Sequence, residues 1–173
     1  MNNVKESKEN NLMEEIKLEK VVLSVGGTAE NLEKGYKLLK ILTGRTPAKM
    51  KTRKRIPTLG VRPKLEIGAL VTIRKNPEEV IKRMLAPINN TLKKKQVSEN
   101  TFSFGVKEYI EIPGVEYQRE LGILGLDVTL TFIKAGKRVK LRKIRRNKIP
   151  KKQNVSKEEI IKFMKERFNT KFV

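Results

Sequence analysis

Ile67, Ala69, Val71 and Ile73 are apolar at every second position, with Leu70, Thr72 and Arg74 in the alternate places. A period of two puts the first set on one face of a β-strand and the second on the other. The alternation returns at Val21, Leu23 and Val25, with Val22 and Ser24 between them. It is clearest in Leu126-Asp127-Val128-Thr129-Leu130-Thr131-Phe132. Strands of this kind need apolar cover on one side only.

Three helices are placed to supply it. Leu32, Tyr36, Leu39 and Leu42 recur at helical spacing over residues 29–43, with Thr28 as N-cap and Gly44 just past the end. Asn76 and Pro77 open a second helix that buries Val80, Ile81, Met84, Leu85 and Ile88, and Pro87 kinks or ends it. Ser156 and Glu159 form a capping box for a third, packed down by Ile160, Phe163, Met164 and Phe168. The expected fold is α+β, a two-layer arrangement with a mainly antiparallel sheet, helices on one face and two long basic segments. Glu19-Lys20 breaks the first strand's alternation and marks a bulge or an edge. Residues 102–106 and 108–112 read as further strands before a Pro113-Gly114 turn, and residues 89–100 as a polar surface connection. Residues 1–12 read as a flexible polar tail ahead of a single domain over 13–173.

The charge is concentrated. Of 40 Lys and Arg, eight lie in residues 45–64 and eleven in residues 134–152, and neither segment holds an acid. The remainder has 21 basic against 19 acidic residues. A nearly neutral body with two cationic arms implies a polyanionic partner. The first arm is a loop broken by three prolines and a glycine; in the second, Val139, Leu141 and Ile144 sit among the charges and suit a strand over part of it. The uncovered sheet face would offer Ser24, Thr72, Arg74, Asp127, Thr129 and Thr131, of which the hydroxyls and the arginine suit phosphate and 2′-hydroxyl contacts. None of the nine Tyr and Phe falls on that face, which favours structured RNA read by shape over base stacking.

Cysteine and histidine are absent, which excludes disulfides, thiolate metal sites and the commonest general base. Apolar runs fall far short of the roughly 20 residues a membrane helix needs. No secretory signal is present, so a cytosolic protein is expected. The Gly26-Gly27 turn lacks the rest of a nucleotide-binding loop and reads as structural. No cofactor and no catalytic constellation are expected; an RNA enzyme built on Asp127 would lack a second catalytic group. A general basic nucleic-acid binder, such as a chromatin protein or RNA chaperone, is the alternative reading.

Several segments carry a resemblance. Lys20-Val21-Val22-Leu23-Ser24-Val25-Gly26, Leu42-Thr43-Gly44-Arg45-Thr46-Pro47 and Ile67 to Arg74, in that order, closely resemble large-subunit ribosomal protein five, the universal 5S rRNA-binding family. Phe104-Gly105-Val106-Lys107-Glu108 and Gly122-Ile123-Leu124-Gly125-Leu126-Asp127 are similar to its later motifs. The tail Arg145-Arg146-Asn147-Lys148-Ile149-Pro150 with Ser156-Lys157-Glu158-Glu159 resembles the archaeal branch. The resemblance covers roughly residues 12–173. It implies a structural, non-enzymatic protein of the cytoplasmic ribosome, in the central protuberance of the large subunit. The implied partners are 5S rRNA, large-subunit rRNA, P-site tRNA, small-subunit ribosomal protein thirteen and other 5S-binding ribosomal proteins. The implied rRNA contacts fall on Ser24, Arg45, Thr72 and Arg74, with Arg142, Arg145 and Arg146 in the second arm. Ser24 stands where Asn is usual and Arg45 where Gln is usual. The implied tRNA-contacting loop offers Arg53, Lys54, Arg55, Arg62 and Lys64.

Overall fold

The three alternating segments lie side by side. The computed structural model describes residues 13–173, so the expected tail over 1–12 lies outside the described residues. β1 (Ile16–Gly26) is central, antiparallel to β3 (Glu66–Ile73) on one side and β7 (Leu126–Lys134) on the other. β2 (Ala48–Lys51) extends the sheet beyond β3. β6 (Thr101–Val106) and the short β5 (Val97–Ser98) extend it beyond β7, giving the order β2-β3-β1-β7-β6-β5. The register slips between Leu18 and Lys20, where the sequence marked a bulge. A separate parallel pair, β4 (Thr91–Leu92) with β8 (Lys171–Phe172), ties down the C-terminal end.

α1 (Glu30–Thr43), α2 (Pro77–Leu85) and α4 (Lys157–Phe168) cover one side of this sheet. Their Leu38, Leu39, Ile81, Met84, Ile160 and Met164 join Val21, Leu23, Val71, Ile73, Val128, Leu130 and Phe132 in one buried cluster. Phe132 meets Phe163 of α4 edge-on, with centroids 5.6 Å apart. Gly35 sets how closely α1 lies on β1, because a Cβ there would stand 2.7 Å from Val25 Cγ1. The apolar stripe of α1 therefore turns toward Gly35 and Leu38, leaving Tyr36 and Leu42 half-buried.

Ala29 takes the place of Thr28 as the N-cap of α1, and Asn76 is the N-cap of α2 as expected, though without a side-chain hydrogen bond. Ala29 enters α1 at φ 49° and Asn76 enters α2 at φ 48°. A side-chain cap needs an extended N-cap residue to reach the first-turn N–H groups, so neither helix has one. Thr28 contributes its carbonyl, which accepts from the Asn31 N–H at 3.1 Å. At α4 the expected box forms. Ser156 Oγ accepts from the Glu159 N–H at 3.3 Å, and Glu159 Oε2 accepts from the Ser156 N–H at 2.9 Å.

Lys134 at the end of β7 donates to the free oxygen of Glu159 at 2.7 Å. Burial alone would raise the Glu159 carboxyl, but the Lys134 ammonium and the Ser156 hydrogen bonds outweigh it and hold it below the ordinary carboxylate value. A depressed folded-state pKa contributes stability above the unfolded value of 4.5 and loses it as pH falls through the folded one. Glu159→Gln is expected to lower the melting temperature at pH 7, and the gap to the parent should close below pH 4.5; a gap independent of pH would show that the charge is not what matters.

Four connections differ from expectation. Residues 89–100 are not merely a polar surface link, because Leu92 and Val97 are each 1% exposed and belong to the core. Residues 108–112 form a 3₁₀ turn over Tyr109–Glu111 instead of a strand. Three residues per turn bring the buried Tyr109 and Ile112 to the same side, which a strand could not do. The first basic segment is not all loop, since Ala48–Lys51 pair with β3 as an edge strand. In the second, one turn of helix, α3 (Arg138–Leu141), replaces the expected strand, and Leu141 and Ile144 stay 61% and 79% exposed. With no ladder partner, those apolar side chains gain no buried face.

Candidate nucleic-acid interface

Strand register arranges the uncovered side of the sheet in rows. One row runs Leu70–Ser24–Asp127–Gly105, the next Thr72–Val22–Thr129–Ser103, and the third Lys20–Thr131–Thr101. Phe102, Phe104 and Phe132 all point to the helix side and are buried, so the strands bring no ring to this face. Thr72 is half-buried at the sheet surface, and Arg74 is exposed just beyond β3. Arg45 reaches back from the end of α1, donating from Nη1 to the Thr72 carbonyl at 3.3 Å. Arg45, Thr72 and Arg74 thus gather at one end of β3, and Ser24 lies toward the middle of the face. Alternation in the sequence does not by itself put Thr101, Ser103 and Gly105 on this face; the pairing of β6 with β7 does.

The tRNA candidates stand elsewhere. Residues 52–65 form a finger between β2 and β3. Ile56 and Val61 pair across it, Thr52 Oγ1 donates to the Arg62 carbonyl at 2.6 Å, and the Lys64 N–H donates to the Thr52 carbonyl at 2.8 Å. Gly60 and Lys64 take positive φ to make its turns. Arg53, Lys54, Arg55, Arg62 and Lys64 are all exposed on it. The eight residues of β3 separate this finger from Arg74, a span of about 25 Å at 3.3 Å per residue.

The second arm leaves β7 at the Arg74 end of the sheet. Lys137 anchors it by bonding Glu19 at the β1 bulge, and Gln153 Nε2 donates to the Ala135 carbonyl at 2.7 Å. Two arginines then brace it from within: Arg142 Nε donates to the Arg145 carbonyl at 2.8 Å and Arg146 Nε to the Lys140 carbonyl at 2.7 Å. Arg145 takes a left-handed φ of 51° between them. A groove of about 430 Å³ separates the arm from the sheet, bordered by Thr101, Thr131, Lys137, Lys140 and Ile149.

Ion pairing divides the cations. Lys49 bonds Glu33 and lies near Glu66, which holds its ammonium above the usual lysine value. Lys51, Lys134 and Lys137 are also paired with carboxylates. None of Arg45, Arg53, Lys54, Arg55, Arg62, Lys64, Arg74, Arg142, Arg145 or Arg146 pairs with a carboxylate among the described residues. Lys49 and Lys51 in the first segment and Lys134 and Lys137 in the second are thus neutralised, while the arginines of both segments carry no carboxylate partner among the described residues.

One surface has the opposite character. The loop over 107–125 carries Glu108, Glu111, Glu116 and Glu120 against Lys107 and Arg119, and exposes Ile110, Tyr117 and Ile123. The Tyr109 hydroxyl accepts from the Gln118 N–H at 3.1 Å, and Tyr109 N–H donates to the Leu124 carbonyl at 3.0 Å, so the loop is pinned to the core. Among the described residues, no group of three His, Cys, Asp or Glu could hold a metal ion, and no helix is long and apolar enough to cross a membrane.

Fold and charge together define a two-layer α+β protein with a hydroxyl-bearing sheet face and two cationic arms whose arginines have no carboxylate partner among the described residues, the class of surface that suits a folded polyanion. The profile of the C-terminus of the ribosomal L5 family matches residues 66–163. The large ribosomal subunit protein uL5 of Nanoarchaeum equitans is 39% identical over 165 residues, covering 93% of this chain and 98% of its own length. That of Sulfolobus acidocaldarius is 39% identical over 170 residues, 96% of each chain, and that of Pyrobaculum aerophilum 42% over 155, 87% of each. The chain belongs to the uL5 family of large-ribosomal-subunit proteins, in its archaeal form. This is a family of ribosomal structural proteins, not of enzymes, and its members' location is the ribosome, in the cytoplasm.

Proposed function

We propose that the chain binds 5S rRNA through the open sheet face and second arm, attaching it in the central protuberance of the large subunit. The observation that carries this reading is the gathering of Arg45, Thr72, Arg74 and the second arm at one end of a hydroxyl-rich face, with no carboxylate paired to Arg45, Arg74, Arg142, Arg145 or Arg146 among the described residues. Large-subunit rRNA and other 5S-binding ribosomal proteins complete that neighbourhood. The finger over 52–65 contacts P-site tRNA through Arg53, Lys54, Arg55, Arg62 and Lys64. Its stiffness and its distance from Arg74 support a second, separate RNA partner. The acidic and apolar loop over 107–125 suits a basic protein better than RNA, and supports a bridge to small-subunit ribosomal protein thirteen.

The test is competition at moderate salt between 5S rRNA and a random RNA duplex of equal length, with sedimentation of cell extract beside it. The proposal expects strong preference for 5S rRNA and co-sedimentation with the large subunit. Equal affinity for both RNAs would instead support a general basic nucleic-acid binder.

A further inference from the structure

We propose that Asp127 is a specificity-determining residue that reads the Watson–Crick edge of an unpaired guanine in the bound RNA. The inference rests on the 5S rRNA reading above and deepens it. Asp127 stands in the row Leu70–Ser24–Asp127–Gly105, on the uncovered face and exposed. Lys20 and Asp127 are the charged groups in the three rows, and they lie at opposite ends, Lys20 beside Thr131 and Asp127 beside Ser24. Among the described residues the Asp127 carboxylate has no ion pair and no hydrogen bond.

A bare carboxylate repels phosphate at short range, so a phosphate backbone cannot be what lies over this spot. It accepts only, and needs donors from its partner. An unpaired guanine offers two parallel donors, N1–H and the N2 amino group, at the spacing of the two carboxylate oxygens. Unstacked bases read at this edge are the usual source of sequence specificity in RNA recognition. The surroundings allow the approach. Gly105 and Gly26 flank the spot without side chains; a Cβ on Gly105 would stand 3.3 Å from Asp127 Oδ1, and one on Gly26 would meet only open space. The Arg45–Arg74 end therefore positions the RNA backbone, and Asp127 discriminates in the row away from it.

The test compares the parent with Asp127→Ala and Asp127→Asn, on 5S rRNA and on a random duplex. Kethoxal, which modifies guanine at N1 and N2, supplies the footprint. The expected result is a loss of about tenfold or more on 5S rRNA in both variants, with affinity for the random duplex raised by Asp127→Ala. A guanine shielded from kethoxal by the parent should become reactive again, while the backbone footprint stays unchanged. Equal tightening on both RNAs, or guanine protections identical to the parent's, would overturn the proposal. If the parent itself showed no preference for 5S rRNA, the functional reading would fail first, whatever the variants did.

Discussion

Phe132→Ala is expected to remove about 3–5 kcal/mol of stability, the usual range for emptying a large aromatic site in a core. Phe132 is 0% exposed and sits on β7, which pairs with both β1 and β6. Its ring meets Phe163 edge-on, so the loss includes an aromatic pair joining α4 to the sheet. A domain whose whole margin is about 5–15 kcal/mol would be left marginal. Chemical denaturation should show a lowered midpoint with the slope unchanged. A loss under about 1 kcal/mol would mean that α4 does not depend on this ring pair.

The second large effect concerns the arm. Replacing Arg142, Arg145 and Arg146 together by alanine should weaken 5S rRNA binding by roughly a hundredfold at moderate salt, on the scale of three hydrogen bonds of about 1 kcal/mol each. The log–log salt slope should become shallower by about 2–3, at about 0.7–0.9 for each phosphate no longer neutralised. Arg142 and Arg146 do two jobs, since Nε of each holds a backbone carbonyl while the rest of the guanidinium faces outward. Lysine carries the same charge but cannot hold a carbonyl and a phosphate oxygen with one planar fork. The double change Arg142→Lys and Arg146→Lys should therefore keep most of the salt slope and still lose affinity. Full affinity in the lysine variant would show that charge alone matters there.

Legibility followed the strength of the periodic signal. β1, β3 and β7 alternate without interruption over their buried spans, and the placement of Ser24 and Thr72 on the uncovered side followed directly from parity. The Ser156–Glu159 box could be read because it is a local exchange of two hydrogen bonds. Leu92 and Val97 were hidden because each is a lone apolar residue among Lys, Gln and Ser, buried by tertiary packing and not by period. β2 was hidden because an edge strand four residues long needs only β3 to form it, and its own residues are mostly exposed. The separation of finger and face was also invisible. Arg62 and Arg74 are twelve positions apart in sequence, and only the intervening strand puts them at opposite ends of the sheet. The acidic loop has no strong sequence signal because its four glutamates are diluted by a strongly basic chain.

The account depends on the uncovered sheet side meeting RNA. The most direct measurement is the 5S rRNA affinity of the parent against a Thr72→Ala, Arg74→Ala double variant, at one fixed salt concentration, with folding checked by circular dichroism. A loss of roughly ten- to a hundredfold with the fold intact is predicted. A folded double variant that binds 5S rRNA as tightly as the parent would contradict it.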